Sequence, residues 1–374
     1  MTASAQRPFD LGRGPIVRAT LFTRAADDHV LLLAIHHLAM DAWSFEMLFR
    51  DFGELYAAAE AGRPANLSPL PCRYSDFVAW QDEMLAGPGG DRAKRYWEAE
   101  LAGDLPLLTL RTDRPRPPRP RFRGASLPFL LDEGLAGRLR ELAVGEGATP
   151  YMVLLAAYQV LLRRETGQEE ILVGSPVAGR ARPEFASTIG YFVNTVVVRG
   201  TTAGNPTFRS FLRAIRDKAL RAIEHQDYPF PMLVKQLGVS REGGRSPVFQ
   251  TLFNFIRAPH ALDLSRFFVA NHPTGTTRIG DLVVEPFPLS QQEGQFDLEL
   301  EMSEIAGTLG GRFKYDTDLF DRVSIVRLAG VFKALLDVIA SDPDRPVSWI
   351  IAQDRLAAAA DDIRQADDRE EIDL

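Results

Sequence analysis

The sequence has little cysteine and no long apolar segment. Cys72 is the only cysteine among 374 residues, which excludes an intrachain disulfide and a cysteine zinc site and fits a reducing compartment. The apolar run at residues 30–35 is far too short to span a bilayer. The N-terminus MTASAQRPFD has no apolar signal segment. We therefore predict a cytoplasmic protein that does not contact a membrane.

Basic charge and phosphate-binding motifs are also scarce. The 43 basic residues, of which five are lysines, are outnumbered by 50 acidic ones, and the net charge of −7 predicts no nucleic-acid surface. The sequence has no Walker loop, no GxGxxG before a helix and no Gly-x-Ser-x-Gly elbow, which argues against a nucleotide fold and a serine thioesterase. A hydrophobic fraction of 45% and a charged fraction of 25% are typical of globular domains.

Periodic segments predict helices and strands in alternation. Apolar runs at 16–22 and 30–35 predict two strands with a short connection. Ser44 is a predicted cap of a helix to about Ala61, and Thr149-Pro150 opens another to about Thr166. Further helices are predicted at 75–85, 92–102, 208–225 and 323–340, and further strands at 170–175, 192–199, 248–256, 282–287, 296–302 and 307–315.

Residues 113–121 are the best candidate boundary. Four prolines in these nine residues exclude a helix or a central strand and predict an extended connector with solvated arginines. We predict an N-terminal lobe at 1–112, a connector at 113–123, a C-terminal lobe at 124–355 and a polar tail at 356–374. Because helices and strands interleave on both sides, the predicted fold class is α/β with two lobes.

The most informative segment is Ala34-Ile-His-His-Leu-Ala-Met-Asp-Ala-Trp-Ser44. Histidine titrates near neutrality, so His37 is a candidate base for a nucleophile. Asp41 is placed to orient that imidazole or, paired with an arginine, to hold the loop. The pattern alone leaves a purely structural histidine open. A metal site is not predicted, because no third or fourth ligand follows at metal spacing.

Five segments together resemble one family. His36-His37-Leu-Ala-Met-Asp41-Ala-Trp43-Ser44 resembles the HHxxxDGWS signature of the condensation domains of nonribosomal peptide synthetases. The resemblance runs from about residue 7 to about residue 355, with its motifs in the family's order. The other four are Tyr74-Ser-Asp-Phe-Val-Ala-Trp80-Gln, Ile189-Gly-Tyr-Phe-Val-Asn194-Thr, His225-Gln-Asp-Tyr-Pro-Phe230 and Arg245-Ser-Pro-Val-Phe-Gln250.

The resemblance implies a two-lobed, V-shaped fold similar to chloramphenicol acetyltransferase, with an active-site tunnel between the lobes. It also implies amide formation between substrates carried on the 4'-phosphopantetheine arms of a donor and an acceptor peptidyl carrier protein, so the chain needs no cofactor of its own. His37 is then the catalytic residue. Its role as a general base or as a hydrogen-bonding group that aligns the amine stays open.

The resemblance assigns roles to the other motif residues. His36 is expected to be structural, and Asp41 to form a salt bridge with Arg180 from the other lobe. Ala42 replaces the usual glycine, which costs about 1 kcal/mol if this position needs a positive φ. Residues expected near the tunnel are Ala42, Trp43, Ser44 and Asn194.

Two expectations concern completeness and subtype. Family members carry a further segment before the counterpart of Pro8, so we expect an incomplete first lobe with exposed apolar surface and an unpaired edge strand. His36 argues against a cyclization domain. Alternative functions are an ester-forming or free-amine acyltransferase of the same fold, and a non-catalytic platform that docks carriers or other synthetase domains.

Overall fold

The computed structural model describes residues 1–239, 244–256, 276–279, 282–287, 289, 294–305, 307–353 and 356. Its helices are α1 (Thr2–Ala5), α2 (Ala42–Glu60), α3 (Tyr74–Ala86), α4 (Pro88–Glu100), α5 (Glu133–Gly145), α6 (Pro150–Thr166), α7 (Phe208–Glu224), α8 (Phe230–Leu237), α9 (Arg322–Ser341) and α10 (Val347–Ile351). Its strands are β1 (Val17–Ala25), β2 (Asp28–Ile35), β3 (Gly124–Leu130), β4 (Glu170–Val177), β5 (Asn194–Thr201), β6 (Thr251–Ile256), β7 (Thr277–Ile279), β8 (Leu282–Val284), β9 (Leu298–Ile305) and β10 (Thr308–Asp316).

The described residues form two compact units. The first contains Met1–Gly89, Ala178–Asn194 and the described residues between 276 and 289, and the second contains the rest. The connector at 113–123, where we predicted the lobe boundary, lies inside the second unit. Residues 178–194, predicted within the second lobe, belong to the first unit because their hydrogen bonds join the start of α2.

The first unit is built on the predicted hairpin. β1 and β2 pair antiparallel, with Leu21 opposite Leu31. α2 begins at Ala42, and the Asp41 carboxylate caps it by accepting the Ser44 N–H at 2.9 Å. The prediction that Ser44 is the cap was wrong by one turn, because Asp41 already satisfies the free amide there. α3 follows, with Asp76 accepting the Arg73 N–H at its start.

The second unit is a mixed sheet covered by helices. Its strand order is β3-β10-β9-β6-β4-β5, with β3, β10 and β9 antiparallel and β6 parallel to both β9 and β4. The apolar residues of β9 lie in the core with the buried helix α6. The alternating acidic residues Glu299 and Glu301 pair instead with Lys314 of β10, at 3.4 Å and 3.0 Å.

The proline-rich connector has no helix or strand, as predicted, but its arginines are fastened to the second unit. Arg116 donates to Asp297 at the start of β9 (Nη1 to Oδ1, 2.9 Å), and Arg114 pairs with Asp321. The expectation of a solvated arginine face was therefore wrong. The predicted tail lies outside the described residues apart from Leu356. No helix in the described part of the chain is long and apolar enough to cross a membrane.

Candidate functional site

The turn between β2 and α2 carries the two adjacent histidines. The His36 backbone N–H extends the hairpin by donating to the Ile16 carbonyl at 2.9 Å. Its ring Nδ1 accepts the Leu38 N–H at 3.1 Å, and the ring lies edge-on to Phe9 with centroids 5.6 Å apart. All three contacts of His36 are made within the hairpin, the turn and the preceding segment, and they stabilise that local structure.

His37 has a different environment. Its Nδ1 lies 2.8 Å from the Met40 carbonyl oxygen. Because a carbonyl only accepts, the proton of the neutral ring is on Nδ1 and the lone pair is on Nε2. The side chain is exposed within the described structure, and its ring lies edge-on to Tyr191 at 5.2 Å. The turn therefore presents an accessible imidazole with a basic Nε2.

Asp41 is buried at the end of the same turn, with 4% of its surface exposed. Its Oδ1 accepts the backbone N–H and the hydroxyl of Ser44, at 2.9 Å and 2.8 Å, and Oδ2 accepts the Phe192 N–H at 3.0 Å. The Asp41 N–H itself donates to the Gly190 carbonyl at 3.0 Å. A carboxylate with both oxygens occupied organises the loop and is not available to a substrate.

Arg180 completes this network, and its side chain is 2% exposed. Nη2 donates to Asp41 Oδ1 at 3.1 Å and to the Ser44 hydroxyl at 2.8 Å, while Nη1 donates to the Thr188 carbonyl at 2.8 Å. The guanidinium also lies 3.9 Å from the centre of the Phe192 ring. Burial lowers the pKa of Arg180 and Asp41 partly offsets this, so the pair remains ionic at neutral pH.

Two glycines allow residues 178–192 to approach so closely. Gly179 has φ +64°, and a Cβ there would lie 1.9 Å from the Phe192 carbonyl oxygen. A Cβ on Gly190 would lie 2.3 Å from the Tyr74 ring. The Tyr74 hydroxyl in turn donates to the Tyr191 carbonyl at 2.7 Å. Side-chain size at these two positions thus decides whether the segment can reach the turn.

The remaining predicted residues lie at the start of α2 and of β5. Ala42 is exposed and helical, so the concern over a positive φ does not apply. Trp43 is half-buried and donates its indole N–H to the Ala186 carbonyl at 3.0 Å. Asn194 is half-buried as the first residue of β5. Their proximity to a substrate tunnel stays a prediction.

Sequence reasoning missed the contributions of Tyr74 and Tyr191. Both occur in segments that resemble the family's motifs, but the sequence singles out only Asn194 of the second segment. Their spacing along the chain gives no indication that they meet the histidine turn. In the residues that the structure describes, no three His, Cys, Asp or Glu side chains are grouped to hold a metal ion.

The comparison with protein-family models decides the ancestry of the chain. The model described as "Condensation domain" matches residues 1–355. The chain belongs to the condensation domain family. Over 348 residues it is 39% identical to one of the linear gramicidin synthase proteins of Brevibacillus parabrevis, which is 92% of this chain and 4% of that protein. This condensation domain therefore spans a small part of the length of its curated relatives.

Solved structures show the same fold. A four-domain nonribosomal peptide synthetase bound to AMP and glycine matches 94% of this chain and 27% of its own, with a TM-score of 0.82 and 27% identity. The X-domain from teicoplanin biosynthesis matches 93% of this chain and 77% of its own, with a TM-score of 0.80 and 26% identity. The chain thus has the mixed α/β fold of condensation domains, which is similar to that of chloramphenicol acetyltransferase.

Proposed function

We propose that this condensation domain forms amide bonds in nonribosomal peptide synthesis. The amine of an aminoacyl thioester on the acceptor carrier attacks the carbonyl carbon of the donor thioester. The C–N bond forms, the C–S bond breaks, and the thiol of the donor carrier's phosphopantetheine is released. The observation that supports this most directly is His37, whose Nδ1 is tied to the Met40 carbonyl while its Nε2 stays accessible.

The chemistry asks little of the histidine. A thioester is already activated, so much of the rate gain comes from holding two tethered reactants together. His37 Nε2 can accept a hydrogen bond from the acceptor amine and take its proton as the C–N bond forms. A histidine that only aligns the amine would leave substantial activity in His37→Gln, whereas a strict base predicts near-total loss.

The buried network supports the histidine without touching the reactants. Asp41, Ser44 and Arg180 fix the end of the turn that carries His37, with their polar groups bonded to one another. In this proposal they are positioning residues. Ala42, Trp43 and Asn194 contribute to the substrate side. The domain has no cofactor of its own and takes its substrates from carrier proteins in a cytoplasmic assembly.

Intact-protein mass spectrometry tests the proposal directly. Donor-loaded and acceptor-loaded carriers are mixed with the domain, and the donor acyl mass is expected to move to the acceptor carrier. His37→Ala should abolish the transfer. His29→Ala is the matched control, because His29 is an exposed histidine on the same hairpin whose ring contacts only Thr23 and Ala26. Transfer that survives in His37→Ala would contradict the proposal.

A second candidate function is a non-catalytic docking platform. The similarity to the teicoplanin X-domain favours it, since another matching structure is a complex of that X-domain with OxyB, at a TM-score of 0.79 and 26% identity. A platform would show a cooperative melt and partner binding but no transfer. Transfer of the donor acyl group to a free amine or alcohol would instead identify a one-carrier acyltransferase.

A further inference from the structure

We propose that Tyr191 is a positioning residue for His37, an inference that rests on the proposed catalytic function. The two rings are 5.2 Å apart at 85°, the edge-to-face arrangement that aromatic pairs prefer. The single hydrogen bond from His37 Nδ1 to Met40 holds one atom of the imidazole. The contact with Tyr191 restricts the ring plane and so sets the direction in which Nε2 points.

The backbone on either side holds Tyr191 in place. Gly190 accepts the Asp41 N–H at 3.0 Å, and the Phe192 N–H donates to Asp41 Oδ2 at 3.0 Å. The carbonyl of Tyr191 itself accepts the Tyr74 hydroxyl at 2.7 Å. Three consecutive residues are therefore tied to the first unit at three points. The residue that ends the histidine turn is also the one that fixes the segment bearing Tyr191.

The ring of Tyr191, and not its hydroxyl, makes the relevant contact. In the described part of the chain the hydroxyl forms no hydrogen bond, whereas the ring contacts His37. Burial raises the pKa of Tyr191, so the phenol stays neutral at the pH of the reaction and is not a second base. Phenylalanine should therefore serve in its place, and an aliphatic residue should not.

The test combines kinetics with a direct observation of the imidazole. Carrier-to-carrier transfer is measured for Tyr191→Ala, Tyr191→Leu and Tyr191→Phe. We expect kcat to fall about tenfold in the first two, the rate equivalent of the full ring-pair interaction, with KM for the acceptor carrier within about twofold. Tyr191→Phe should restore kcat to near that of the native domain. Tyr191→Leu keeps most of the volume, so it separates loss of the aromatic ring from a cavity.

Nitrogen-15 NMR of the six histidines supplies a readout that does not depend on activity. The His37 signals are assigned by their loss in His37→Ala. In the native domain they should show the proton on Nδ1, and in Tyr191→Ala and Tyr191→Leu they should move toward the tautomer mixture of a free imidazole. Phe9→Ala is the matched control, because it removes the same edge-on contact from the neighbouring His36.

The outcomes separate the two proposals. If the native domain transfers nothing but the His37 tautomer shifts in Tyr191→Ala and Tyr191→Leu alone, the proposed function fails and the positioning contact stands. If those two variants keep the native tautomer and native kcat, Tyr191 does not position His37. A Tyr191→Phe variant as slow as Tyr191→Ala would also overturn the inference, because the hydroxyl would then be the acting group.

Discussion

Replacing Arg180 by methionine should destabilise the first unit far more than breaking an exposed ion pair. The substitution keeps an unbranched side chain but removes the cation beside a buried carboxylate. Asp41 would retain three hydrogen bonds, from the Ser44 N–H, the Ser44 hydroxyl and the Phe192 N–H, while its charge would lose its counter-ion. Removing one partner of a buried pair costs about 3–5 kcal/mol of unfolding free energy, because the remaining charge stays buried.

The chain offers a matched control for this experiment. Arg24 and Asp28 lie 2.6 Å apart, similar to the 3.1 Å of Arg180 and Asp41, but their side chains are 55% and 41% exposed. Arg24→Met should therefore cost at most about 1 kcal/mol. The difference between the two variants isolates the effect of burial.

Urea unfolding followed by tryptophan fluorescence provides the measurement, since Trp43 and Trp80 both lie in the first unit. The midpoint should fall with an unchanged m-value. In the double variant Asp41→Asn plus Arg180→Met, the loss should be smaller than the sum of the single losses, because no uncompensated charge remains. A loss for Arg180→Met within about 1 kcal/mol of that for Arg24→Met would refute the argument.

Three further substitutions test other parts of the structure. Gly190→Ala should cost about 1–3 kcal/mol by thermal melt, because the new methyl would overlap the Tyr74 ring; an unchanged melt would mean that the ring moves aside freely. Burial raises the pKa of Glu146, but hydrogen bonds from Arg213 and a second arginine outweigh burial and leave that pKa below its usual 4.5. The contribution of Glu146 is thus present above pH 4.5 and lost as pH falls through its folded pKa, so Glu146→Gln should cost on the order of 2 kcal/mol at pH 7 and flatten the acid limb of the stability curve. Ala42→Gly should restore the family's usual residue yet lower stability by up to about 1 kcal/mol in urea titration, since Ala42 is helical; a gain in stability would show that the position favours glycine.

Local pattern was enough to predict much of the secondary structure. The hairpin, α6 with its Thr149 cap and the alternating strand β9 follow from periodicities and capping residues that act within a few positions along the chain. The start of α2 was misplaced because Asp41 and Ser44 are both good caps. The choice between them depends on which side chain is drawn into contacts with residues 180 and 192.

The sequence by itself determined the family and the residues that carry its chemistry, because five ordered motifs are visible without any coordinates. It could not show that Arg180 and Tyr191 belong to the same unit as the histidine turn, since they lie about 140 and 150 residues from Asp41 and His37. Tertiary packing alone decided this. Two glycines permit the close approach, and a buried carboxylate collects donors from both segments. The tautomer of His37 was decided in the same way, by a carbonyl that the turn brings to its Nδ1.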